Sequence, residues 1–214
     1  MNRMFTVPGE DLFDGRINDN LELLKAWAGT SLAFAISFVR GQIFQAEFLT
    51  FLLIAGVTGG VGFVVHELAH RVVARQYGAQ AFFKSNDGML LISILVAFSG
   101  WFLAAPGAVW HRGGALTARR SGLIALAGPA SNFGLAVLFA LALLGFQSGA
   151  VPVDRFWVLL CLVGYNINAW LGLFNLIPVA PFDGEKIWRW NKVVLGVTAA
   201  IGVVMVFVLP GILF

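Results

Sequence analysis

Apolar residues in this chain fall into long runs rather than narrow stripes. The runs cover residues 22–39, 43–77, 89–110, 121–146, 156–177 and 193–214. An α-helix needs about 20 apolar residues to cross a hydrocarbon layer of ~30 Å. The pattern therefore predicts an all-α membrane protein with about five to six transmembrane helices. The first run is weakened by Lys25 near its start, and Arg40-Gly41-Gln42 separates it from the second. The run at 89–110 is interrupted by Gly100, Pro106 and Gly107, which predicts a re-entrant or hairpin segment. Residues 78–88 (GAQAFFKSNDG) are bounded by glycines and read as a short extended segment directly after the second helix. The run at 156–177 stops before Pro178, because a residue preceding proline is pushed out of the helical region. Residues 178–192 read as irregular, then charged. The division this predicts is a polar N-terminal arm at 1–20 and one membrane domain at 21–214, with a core at about 45–190.

Composition agrees with that pattern. Of the 214 residues, 59% are hydrophobic and 12% charged, where soluble domains carry about 25% charged residues. A lipid bilayer is thus the expected surroundings. No Lys/Arg run suggests a nucleic-acid partner. Cys161, the one cysteine, sits in an apolar run, and there is no C-x-x-C metal pair. The N-terminus lacks the basic start and small-residue cleavage site of a signal peptide, so the first apolar run is expected to be retained as a helix.

Charge then orients the elements. If 89–110 leaves and returns on one side, all 14 basic residues except Arg40 and Arg155 share one face. The positive-inside rule makes that face cytoplasmic. It holds loops 111–120 and 185–192, and loop 147–155 lies opposite. The expected location is multi-pass in the cytoplasmic membrane of a prokaryote.

The second run contains His66-Glu67-Leu68-Ala69-His70. Residues four apart on a helix stand one above the other. Two imidazoles so placed can grip one Zn²⁺, and the Glu between them can serve as general base toward an attacking water. Ionisable groups inside an apolar helix are costly, which marks them as functional. Counted from Gly78 at ~1.5 Å per residue, His70 lies ~12 Å and His66 ~18 Å from the helix end. The site is therefore within the membrane, nearer its cytoplasmic side. A catalytic zinc takes three protein ligands. Asp183, in Asn175-Leu-Ile-Pro178-Val-Ala-Pro181-Phe-Asp183-Gly184, is the candidate third ligand, aimed from a helix broken by two prolines. Gly184 is expected to permit a tight turn there. The ordinary alternative for Asp183 is an interfacial turn acid, and His111 beside Arg112 is a weaker rival ligand. A rival function is a membrane transporter or metal channel with a His/Asp transit site, although no repeated halves are visible.

HExxH within a membrane helix, followed by a distant N-x-x-P-x-x-P-x-D-G, resembles the site-2 protease family of intramembrane zinc metalloproteases. Gly128-Pro129-Ala130-Ser131-Asn132 is similar to that family's G-P-x-x-N element. The likeness is to a compact form, with no PDZ or CBS domain. It implies a metalloendopeptidase that cuts within or near transmembrane helices of other membrane proteins, in regulated intramembrane proteolysis. It also implies one zinc per chain on His66, His70 and Asp183, with Glu67 as general base. Asn175 would steady the substrate or the oxyanion. Asn168, Gly172 and Asn175 share one helix face at i, i+4 and i+7. Asn168 and Asn132 read as cavity-lining or helix-packing residues. Residues 78–88 read either as the seat of an unwound substrate, held by strand addition, or as a plain surface loop. The oligomeric state is not legible.

Overall fold

The structure is a computed structural model that describes residues 18–102, 107–112, 117–149 and 153–213. Nearly all of the expected polar arm, residues 1–17, lies outside the described residues.

Helix α1 (Asp19–Phe38) starts where the Asn18 side chain accepts the backbone N–H groups of Asn20 and Leu21, two of the donors a helix start leaves unpaired. Helix α2 (Glu47–Gln76) is continuous, with a π-helical turn at Gly56–Gly60. The glycines of that turn let α1 come close: a Cβ on Gly60 would lie 2.2 Å from Ser31 Oγ. The chain then forms strand β1 (Gln80–Ser85), helix α3 (Asp87–Ala97) and strand β2 (Gly107–Arg112). The strands pair antiparallel, with Gln80 opposite Arg112 and Ser85 opposite Gly107. The end of β1 at Ser85 therefore lies beside the start of β2 at Gly107. At ~1.5 Å per residue α3 is about 16 Å long, too short to cross the hydrocarbon layer alone.

Helices α4 (Ala118–Gln147) and α5 (Arg155–Phe174) follow, with Pro129 inside α4. Residues 178–192, expected to be irregular, instead include helix α6 (Asp183–Trp190). Its ends explain it: Asp183 and Glu185 occupy the first turn and Arg189 the last, each favourable to the helix dipole. Glu185 and Arg189 also pair at 2.5 Å across i, i+4. Helices α7 (Lys192–Val208) and α8 (Pro210–Leu213) complete the described chain.

Among the described residues α2, α4 and α5 are long and apolar enough to span a membrane. Helix α1 has 20 residues but carries Asp19, Glu22 and Lys25, and α7 is shorter. The described residues thus form a mostly helical membrane protein, with three such helices and one small sheet among them. The core runs between α4 and its neighbours, with Phe133, Tyr165, Leu176 and Ile187 buried together. The Tyr165 hydroxyl donates to the Met205 carbonyl, which ties α5 to α7.

The outer edge of β1 is closed by acids of α1. Asp19 Oδ1 accepts the Phe83 N–H at 2.6 Å, and Glu22 Oε2 accepts the Ser85 N–H at 3.1 Å. Asp19 also pairs with Arg71, the residue after His70. Helix α1, the sheet and α2 are thereby held in register.

Candidate metal centre

His66 and His70 stand one turn apart on α2, both buried. Their Nε2 atoms are 3.0 Å apart. Asp183 Oδ2 lies 3.2 Å from His66 Nε2 and 3.0 Å from His70 Nε2. Among the described residues this is the trio of metal-ligating side chains that converges. Three ligands at about 2.0–2.1 Å from a tetrahedral zinc are about 3.3 Å from one another. The observed separations are within a few tenths of an ångström of that, so the donor set and its spacing fit zinc.

Two further contacts leave the right atoms free. His70 Nδ1 donates to the Ile124 carbonyl at 2.7 Å, and His66 Nδ1 lies 2.6 Å from Asn132 Oδ1. With Nδ1 protonated on each ring, both Nε2 lone pairs face the centre, as zinc-binding imidazoles require. Helix α4 supplies the wall. A Cβ on Gly128 would lie 2.5 Å from His66 Nε2 and 2.5 Å from His70 Nε2.

Asp183 reaches this point because α5 ends at Phe174 and residues 175–182 turn the chain back. The Gly184 N–H donates to the Asn175 carbonyl at 2.7 Å, and a Cβ on Gly184 would lie 2.2 Å from the Leu176 carbonyl oxygen. The glycine is thus needed for close approach inside the first turn of α6, not for a turn of its own.

Glu67 lines the same cavity, which measures about 100 Å³ and also touches Asn175, Lys186 and β2 at Gly107, Ala108 and Val109. The Val109 N–H reaches the Glu67 carboxylate. The Asn175 amide donates to the Leu171 carbonyl at 2.9 Å. Lys186 Nζ is 3.9 Å from the other Asp183 oxygen, Oδ1. His111 falls in β2, its backbone opposite Ala81.

One sequence expectation changes here. Residues 78–88 were expected to border the site as the substrate strand, but β1 has one edge on β2 and the other on Asp19 and Glu22. The strand that faces the cavity is β2. Asn132 and Asn168, read as cavity-lining or helix-packing residues, are both fully buried between helices and do not line that cavity, and Asn132 contacts His66 directly. Sequence reasoning also missed the Ile124 carbonyl, Lys186 and the role of Gly128. Only Gly128 left a signal, as the first residue of the G-P-x-x-N stretch.

Among curated proteins, several relatives share this sequence. A protein of Methanocaldococcus jannaschii, MJ0611, is 40% identical over 162 residues, covering 75% of this chain and 79% of the relative. Rip3 of Mycobacterium tuberculosis is 35% identical over 146 residues, covering 65% of this chain and 32% of that protein. YwhC of Bacillus subtilis is 34% identical over 148 residues, covering 59% of this chain and 64% of that protein. All three carry the name "putative zinc metalloprotease". No family model matches the chain, and no solved structure does. On the extent of its likeness to MJ0611, the chain belongs to this zinc metalloprotease family.

Proposed function

We propose that the chain is an intramembrane zinc endopeptidase of the site-2 protease type. Its substrates would be transmembrane helices of other membrane proteins, cut in regulated intramembrane proteolysis. The observation that carries this reading is the convergence of His66 Nε2, His70 Nε2 and Asp183 Oδ2 within 3.2 Å, beside Glu67 in one buried cavity. The cavity lies along α2, a helix apolar enough to span a membrane.

When bound, the zinc supplies a Lewis acid that activates water and polarises a carbonyl. His66, His70 and Asp183 would hold it. Glu67 takes a proton from the attacking water and returns it to the leaving amine. Asn175, on the cavity wall, would steady the carbonyl oxygen. A peptide bond inside a helix has its carbonyl already hydrogen-bonded and is screened by side chains, so the substrate must unwind first. The cavity edge of β2 offers backbone groups to such an extended segment. In the antiparallel ladder alternate residues point outward. Phe83 and Ser85 face α1, so their partners Val109 and Gly107 face the cavity.

In this reading the chain crosses the cytoplasmic membrane of a prokaryote five to six times, with its metal nearer the cytoplasmic side. The transporter alternative is not favoured: the relatives are named as metalloproteases.

The test is a pair of variants in purified protein. Glu67→Gln is expected to keep one zinc per chain and lose cleavage, because the amide cannot take a proton. His66→Ala is expected to lose both. Cleavage by Glu67→Gln at the wild-type rate would remove the general base from the scheme.

A further inference from the structure

Behind His66 stand two fully buried asparagines whose hydrogen bonds run in one direction. On α5, Asn168 Nδ2 donates to the Gly164 carbonyl at 2.9 Å. A carbonyl oxygen only accepts, so the Asn168 nitrogen must face it and Oδ1 must face away. That Oδ1 accepts from Asn132 Nδ2 at 3.0 Å. Asn132 Nδ2 also donates to the Gly62 carbonyl of α2 at 3.1 Å. Both amide hydrogens of Asn132 are thus engaged, and its Oδ1 is left for His66 Nδ1 at 2.6 Å. An acceptor there requires His66 to carry its proton on Nδ1, which leaves Nε2 as the lone pair.

The backbone makes room for these contacts. A Cβ on Gly62 would lie 2.3 Å from Asn168 Oδ1, so α2 is bare where the amide of α5 reaches α4. Packing alone does not account for the arrangement. A leucine has the same branched skeleton and would bury no amide there. The partner histidine needs no such chain, since the Ile124 carbonyl holds His70 Nδ1 directly.

We infer that Asn168 and Asn132 are positioning residues, a relay anchored on the Gly164 carbonyl that fixes which nitrogen of His66 is free for zinc. The inference rests on the zinc reading of His66, His70 and Asp183. Partners of this kind orient the ring and raise its basicity, and their loss typically weakens metal binding by about 10–100-fold.

The test uses the full chain in detergent with two readouts. Zinc affinity is measured by competition with a chelator. The tautomer of His66 is read in metal-free protein labelled with ¹⁵N-histidine, where three histidines keep the spectrum simple. Asn132→Leu is expected to bind zinc about 10–100-fold more weakly and to lose the Nδ1–H preference of His66, with His70 unchanged. Asn168→Leu leaves the Asn132 amide held by the Gly62 carbonyl alone, so both readouts should move in the same sense but less. It also carries the test if Asn132→Leu does not fold. Unchanged zinc affinity with an unchanged His66 tautomer in the folded leucine variants would overturn the relay. If the wild type binds no zinc, the metal reading fails, and the tautomer shift still decides the relay.

Discussion

Gly128→Ala adds one methyl group at the most sensitive point of the site. Its Cβ would lie 2.5 Å from the Nε2 atoms of both histidines. Non-bonded contacts of this kind settle near 3.5 Å, so α4 and the imidazoles must part by about 1 Å. The three ligand atoms are now 3.0–3.2 Å apart, and displacing two of them pulls the trio away from zinc geometry. Overpacking by a methyl group costs about 1–3 kcal/mol. If release of the metal relieves that strain, zinc affinity falls by roughly 5- to 150-fold, at 1.4 kcal/mol per factor of ten. The control is Gly134→Ala on the same helix, where an added Cβ meets nothing within 4 Å. Alanine there is expected to leave zinc binding unchanged and to stabilise the helix by about 0.5–1 kcal/mol. Chelator competition on the two purified variants, beside the wild type, gives the comparison. Wild-type zinc affinity in Gly128→Ala would refute the placement of Gly128 against the metal-binding nitrogens.

Asp19→Ala removes the acceptor of the Phe83 N–H and the partner of Arg71, both contacts partly buried, and is expected to cost about 1–3 kcal/mol in denaturant unfolding. Asp19→Asn keeps an acceptor for Phe83 and should lose less; equal losses would show that the strand contact contributes nothing. Topology is open to cysteine labelling in a Cys161→Ser background. Arg189→Cys is expected to react from the cytoplasmic side and Ser148→Cys from the other, and labelling of both from one side would contradict the proposed orientation.

The long apolar runs and the HELAH spacing were legible because each is local: lipid demands continuous apolar helices, and one helix places two side chains four residues apart. Asp183 could be singled out from its broken helix and the N-x-x-P-x-x-P-x-D-G likeness, while the spacing alone also fitted an interfacial turn acid; its burial is what the structure adds. What escaped depends on contacts between distant segments. The pairing of Ser85 with Gly107 decides that β2, not β1, borders the cavity, and no periodicity in residues 78–88 reports the acids of α1 that close the β1 edge. The direction of the asparagine relay was hidden for the same reason. It is set by the Gly164 and Gly62 carbonyls, and backbone acceptors leave no mark in a sequence. Helix α6 was missed because prolines and charges hid an eight-residue helix held by its end charges.

The most direct test of the account is where, and in what kind of helix, the bond is cut. Wild-type protein, reconstituted with zinc in lipid vesicles, is given two reporter peptides that each span the bilayer, one poly-Leu and one with Gly and Pro inside the span. Product masses locate the cut. The account expects cleavage within the span, faster for the Gly/Pro peptide because less helix must unwind, abolished by a chelator and restored by zinc. Cleavage confined to residues outside the bilayer, or a poly-Leu span cut as fast as the other, would contradict it.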